Sequence, residues 1–114
     1  MRQHRILYVG HDLRLLQSLQ DTLGNCRIVR CPAGSVARTL IEHINYSLLL
    51  FDKELPDTPG TELARFVLRL PHQQRTPIIM IETRSEDGFV SKPGDIVKIV
   101  ETIARLLAPS GNPF

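Results

Sequence analysis

The residue most plainly placed for chemistry is Asp52. It closes a nearly unbroken apolar run, Ser47-Leu48-Leu49-Leu50-Phe51, and a loop carrying Pro56, Pro59 and Gly60 follows it. A run of this kind reads as a buried parallel strand. Open α/β sheets keep their working sites outside the carboxyl ends of the strands. A carboxylate delivered there is set to react, provided its surroundings offset its charge. Near the other end of the chain Phe89 and Lys92-Pro93 mark a second strand end. An Asp in a surface turn and a Lys before Pro in a loop are each ordinary. Together, at matched strand ends, they favour a functional site.

The elements that would position these residues alternate. Arg5 to Val9 is a short buried strand, left through a turn at Gly10. Asp12 caps a helix whose Leu16, Leu19 and Leu23 recur at helical spacing, and Gly24-Asn25 ends it. Cys26 to Cys31 is a second strand centred on Ile28 and Val29. Pro32, Gly34 and Ser35 open a helix that turns Val36, Ala37, Leu40, Ile41 and Ile44 inward. The strand ending at Asp52 is third. Gly60 to Leu70 follows as a helix with Leu63, Phe66, Val67 and Leu70 on its buried side, stopped by Pro71. Pro77 to Ile81 is a fourth strand and Phe89 to Ser91 a short fifth. The last helix runs from Pro93 to Leu107, with Ile96, Ile99, Val100, Ile103, Leu106 and Leu107 as its stripe. This order predicts a parallel sheet covered on both faces. Only the connection from Ile81 to Phe89 breaks the pattern. Its residues, ETRSEDG, span roughly 23 Å when extended, too little chain for a crossover helix. A bare crossover is expected. The alternative is a hairpin with an antiparallel fifth strand, which would carry Lys92 away from Asp52.

Composition narrows the classes. A chain of 114 residues, 42% apolar and 23% charged, fits one domain with one core. The net charge of +2 is carried by scattered basic residues, and Arg2, His4 and Arg5 read as a solvated face more readily than as contacts to an acidic partner. No apolar run approaches the roughly 18 residues a membrane span needs, and no signal peptide opens the chain. A cytoplasmic location is expected, without membrane or nucleic-acid partners. Cys26 and Cys31 would stand about 16 Å apart on opposite faces of one strand, too far to bridge, and read as two reduced, buried thiols. Neither they nor the four histidines make a zinc pattern.

The chain resembles a response-regulator receiver domain, the phosphoacceptor module of bacterial two-component signalling, from about Arg5 to Leu107. The resemblance rests on Asp52 ending the third strand, Pro56 and Gly60 at the family's spacing after it, Glu62-Leu63 opening the next helix, PIIMI as the fourth strand, and Phe89 three residues before Lys92-Pro93. It implies a flavodoxin-like α/β fold over residues 5–108 with a tail at 109–114. The sheet would be parallel and five-stranded, in the order 2-1-3-4-5, here without the helix between strands four and five. It also implies roles. Asp52 would be the phosphoacceptor, attacking a phosphohistidine or a small acyl phosphate, a step that needs its charge offset by Mg²⁺ and a lysine. Lys92 would be that lysine, pairing with Asp52 and then with the phosphoryl oxygens. The metal would be held by Asp52 and the backbone carbonyl of Glu54.

Three departures bear on those roles. Receivers carry an acidic pair just after the first strand, where this chain has Gly10 and His11. Glycine and imidazole replace oxygen ligands of a hard ion poorly. Asp12 would serve as a ligand only if the register slipped by one residue, and otherwise is the helix cap. At the position where receivers place a switch hydroxyl stands Glu82, a carboxylate that repels phosphate and either pairs with Lys92 or ends the strand in solvent. Thr83 comes one residue too late without a local shift. Phe89 matches the aromatic that changes rotamer on activation, with ordinary core packing as its other reading. The missing helix removes part of the face receivers use to pair or to engage outputs.

The expected function is therefore a degenerate receiver, a pseudo-receiver in a phosphorelay. It would be phosphorylated at Asp52 weakly or not at all, bind Mg²⁺ weakly or not at all, and act through protein–protein contact without turnover. The alternative is a conventional single-domain receiver phosphorylated on Asp52 by a histidine kinase or phosphotransfer protein. An aspartyl phosphatase is a remote third, because such enzymes carry a D-x-D nucleophile on the first strand. A dinucleotide fold fails for want of G-x-G-x-x-G around Gly10.

Overall fold

The computed structural model describes residues 4–73, 75–81 and 93–107. The elements run β1 (Arg5–Val9), α1 (Leu13–Thr22), β2 (Arg27–Cys31), α2 (Gly34–His43), β3 (Leu48–Asp52), α3 (Gly60–Leu68), a 3₁₀ turn at Pro71–Gln73, β4 (Ile78–Ile81) and α4 (Pro93–Leu106). The strands lie in the order β2-β1-β3-β4 and every pairing is parallel, with Tyr8 beside Leu50 and Asp52 beside Ile81. This is the flavodoxin-like order expected from the sequence. The expected fifth strand at 89–91 and the short crossover before it lie outside the described residues, as do Glu82, Thr83, Phe89, Lys92 and the tail.

Alternation along the two central strands builds two cores. Ile6 and Tyr8 of β1 and Leu48 and Leu50 of β3 face α1 and α4, meeting Leu15, Leu19, Leu23, Val100 and Ile103. Leu7, Val9, Leu49 and Phe51 face α2 and α3, meeting Ala37, Ile41, Leu63 and Val67. All of β3 is buried, which is why its apolar run is continuous instead of alternating. Each fully buried leucine there contributes about 2 kcal/mol.

The helix stripes need correction. Leu15, not Leu16, is the fully buried partner of Leu19 on α1, and Leu16 is half-buried. Val36 and Leu106, expected inward, are 50% and 46% exposed. α2 seats itself through Ala37 and Ile41, which leaves Val36 to one side of its contact line. Both cysteines are free and serve opposite cores, as expected, but Cys26 is only half-buried because β2 ends the sheet. β2 is also shorter by one residue at its start than the sequence suggested, and α3 by two at its end.

α2 is held at both ends from outside. Ala33 offers its N-terminus no side-chain cap. Asp57, in the loop after β3, accepts hydrogen bonds from the amides of Gly34 and Ser35, both at 2.9 Å. At the other end the buried Gln73 donates to the carbonyls of Ile41 and Ile44. Orphan helix-end groups are thereby satisfied by residues far along the chain.

Candidate functional site

β3 delivers Asp52 to the carboxyl edge of the sheet, on the face it shares with Leu50, Leu48 and Tyr8. Around it the chain turns tightly. The amide of Lys53 donates to the carbonyl of Ile81, and that of Gly60 donates back to the carbonyl of Lys53. Glu54 and Pro59 form a single bridge that folds the intervening loop onto itself. Gly60 is required at the start of α3, because a Cβ there would overlap the Asp52 carbonyl and Met80 Cε. A cavity of about 590 Å³ follows this loop, lined by Lys53 through Pro59 and Thr61. Asp52 is not among its lining residues.

The Asp52 carboxylate is enclosed and only 3% exposed. The Tyr8 hydroxyl donates to Oδ1 at 2.9 Å and the His11 amide donates to Oδ2 at 3.2 Å. The Tyr8 oxygen in turn accepts the amide of Asp12 at 2.9 Å, so a single phenol links the strand end to the start of α1. Gly10 closes the remaining side. A Cβ on Gly10 would fall on the Asp52 carboxyl group itself. Gly10 is held in that place by its amide, which donates to Cys31, and by its carbonyl, which accepts from Arg30 Nε at 3.1 Å. The space that a side chain on Gly10 would occupy is thus filled by the Asp52 carboxylate.

Burial raises the pKa of Asp52 above the usual carboxylate range, against the His11 and Tyr8 hydrogen bonds that favour the anion. Burial, and then the Asp52 charge, push the Tyr8 phenol up as well. Asp12 caps α1 as expected, Oδ1 accepting the amides of Arg14 and Leu15. Its carboxylate is 99% enclosed, at 1% exposure, and stands near enough to raise Asp52 slightly further.

The structure therefore brings together Asp52, Gly10, His11 and Asp12 from the expected set, with His11 acting through its backbone. Glu54 lies in the adjoining loop. Sequence reasoning missed Tyr8 and Arg30. For Tyr8 a signal existed: a tyrosine in a buried strand must find a partner for its hydroxyl, and parity placed it on the face of Asp52. Arg30 had none, since its role is a side-chain bond to a backbone carbonyl twenty residues away. Among the described residues no three of His, Cys, Asp and Glu gather in a manner that could hold a metal ion.

No family model matches the sequence. Over 81 residues, 71% of the chain, it is 27% identical to the signal transduction histidine-protein kinase BarA of Escherichia coli, and it spans 9% of that kinase's length. Solved structures share the fold at low identity. The receiver domain of a sensor histidine kinase from Pseudomonas aeruginosa, with a magnesium ion coordinated in its active-site cleft, has a TM-score of 0.74 at 20% identity, covering 92% of this chain and 98% of that one. The chemotaxis response regulator CheY4 of Vibrio cholerae has a TM-score of 0.75 at 20% identity, with coverage of 93% and 100%. The non-phosphorylated HemR receiver domain of Leptospira biflexa has 0.74 at 20% identity, with coverage of 98% and 100%.

Proposed function

Starting from the receiver fold that these structures share with it, we propose that this chain is a two-component signalling module whose acceptor is held closed. It acts through contact with another signalling protein, a histidine kinase or a phosphotransfer protein among them, and takes up phosphate at Asp52 weakly or not at all. The observation that carries this reading is the enclosure of Asp52, with each oxygen already bonded from within and Gly10 pressed against the carboxyl group. In-line attack on phosphorus needs an accessible oxygen lone pair, and burial of Asp52 to 3% exposure with a donor already on each oxygen works against it. The raised pKa acts in the same direction by favouring the neutral, non-nucleophilic form.

The described residues around Asp52 do not by themselves make a magnesium site. Mg²⁺ wants near-octahedral oxygen ligands. Gly10 supplies none, the Asp12 carboxylate is turned to the amides of α1, and both Asp52 oxygens are engaged. No step is assigned to a metal. A second reading, the conventional receiver with Lys92 as its ammonium partner and Glu82, Thr83 and Phe89 at the switch positions, is favoured by one observation: Asp52 ends the third strand of a fold in which a neighbour coordinates magnesium.

One experiment separates the two. The chain is incubated with acetyl phosphate and Mg²⁺, and its intact mass is read beside that of Asp52→Asn. The closed reading expects no phosphoryl adduct. An Mg²⁺-dependent adduct in the wild type that Asp52→Asn abolishes would establish the conventional one.

A further inference from the structure

At the opposite end of the strands from Asp52 lies a second feature with the makings of a binding site. Arg5 of β1 and Arg27 of β2 are direct neighbours in the parallel register and point to the same face, that of α2. Like charges placed side by side on a sheet repel. Neither guanidinium has a hydrogen-bonding or ion-pairing partner among the described residues. The two line a groove of about 290 Å³ with Val29, Leu40, Ile44 and Tyr46.

The groove continues as an apolar stripe. Val36, Leu40 and Ile44 follow one another at four-residue intervals along α2, a line about 12 Å long at 1.5 Å per residue. Val36 is 50% exposed, and Val29, which lines the groove from β2, is 36% exposed. This is where the residue that failed to face the core is turned. β2 is also the edge of the sheet. The amide of Arg27 and the carbonyl of Cys31 bond toward β1, so by alternation the backbone groups of Ile28 and Arg30 face away from it. No described strand meets them.

From these features we infer that the β2 edge and the α2 stripe dock an extended acidic segment of a partner protein. About four residues cover the stripe at 3.3 Å each. The segment hydrogen-bonds to the Ile28 and Arg30 backbone, as in strand addition. On alternate positions it lays apolar side chains against Val36, Leu40 and Val29 and a carboxylate between Arg5 and Arg27, which guanidinium forks suit. Length and the free edge favour a peptide over a small anion. Arg27 and Arg30 on the edge oppose pairing with a second copy, because charged edge residues repel their own image. The site is independent of Asp52 and stands or falls apart from the closed-acceptor reading.

The test uses the whole chain and a fluorescent, end-blocked octapeptide that carries Glu, Val, Val and Val at alternate positions with Ser between them, so that one face presents both the acid and the apolar groups, with Lys in place of Glu in the comparison peptide. Saturable binding of the acidic peptide alone is expected, with slowed hydrogen exchange at the Ile28 and Arg30 amides. Arg5→Glu with Arg27→Glu weakens it about tenfold or more, while Arg105→Glu, on α4, does not. Val36→Ser, at an exposed position that folding tolerates, weakens it by a smaller factor. Amide spectra of each variant confirm the fold. No binding at millimolar peptide, equal binding of the Lys peptide, protection at other amides, or displacement by inorganic phosphate at the peptide's own concentration would each overturn the inference.

Discussion

Asp52 and Asp57 belong to one strand-and-loop segment, carry the same side chain, and each accept two hydrogen bonds through both oxygens. Their acidities nevertheless move in opposite directions. Asp57, exposed on the loop, is held below the usual carboxylate range by the amides of Gly34 and Ser35. Asp52 is pushed above it by burial, which outweighs the His11 amide and the Tyr8 hydroxyl. Hydrogen bonds, joined at Asp57 by weaker ones from the Ser35 side chain and its own amide, lower both groups and so do not account for the opposite signs. Desolvation does, helped at Asp57 by its seat on the positive end of α2. A carboxylate at the working edge of a sheet is made available or inert by what covers it.

The cover over Asp52 is the part of the comparison most easily broken. Gly60→Ala has the largest expected effect, about 3 kcal/mol of lost stability by urea denaturation. The added methyl meets the Asp52 carbonyl, and no side-chain rotation relieves a clash with backbone. Gly10→Ala adds the same methyl against the carboxyl group, which can rotate away. It costs less, about 2 kcal/mol, and has a second consequence. Asp52 is turned toward solvent and its carboxyl titration, followed by carbon NMR, moves back toward the ordinary range. An unchanged titration would mean that the Gly10 backbone is not what closes the site.

Tyr8→Phe sharpens the comparison from the other side. It removes one of the two donors that favour the Asp52 anion and leaves the buried Asp12 amide without its acceptor. The expected cost is about 1.5 kcal/mol, with the Asp52 titration moving further up. A downward movement would show that the phenol acts chiefly by excluding water, not by donating its proton.

What was legible in the sequence and what was not follows the reach of the interactions. Asp52 as the end of β3, Asp12 as the cap of α1 and the parallel, doubly covered sheet all rest on contacts within a few residues or on strand periodicity. Val36 was misplaced because helical spacing admits a stripe wider than the two residues, Ala37 and Ile41, that seat α2. The closing of the site was illegible in kind. Gly10 read as a lost ligand, a correct statement about chemistry that missed the geometric one, that an absent Cβ gives the Asp52 carboxylate its room. Asp57 carries no local signal for its role, because the helix whose N-terminus it caps begins twenty-three residues earlier.

The smallest expected effect carries the sign of the whole comparison. Asp57 has a folded pKa below its unfolded value, so its stabilising contribution is fully present above the unfolded value near 3.9 and is lost as pH falls through the folded one. Asp57→Asn therefore lowers the melting temperature modestly at pH 7, since one amide oxygen replaces two carboxylate oxygens at the α2 cap, and the difference from wild type closes toward about pH 3. Asp52 runs the other way. Its folded pKa lies above the unfolded one, so the wild type loses stability as pH rises from the unfolded value through the folded one. Relative to the wild type, Asp52→Asn then becomes less costly with rising pH. Melting curves of both variants and the wild type across that range should give difference lines of opposite slope. Lines of the same slope would mean that the two carboxylates share one environment in solution and that Asp52 is open to water, which would return it to the role of an ordinary acceptor.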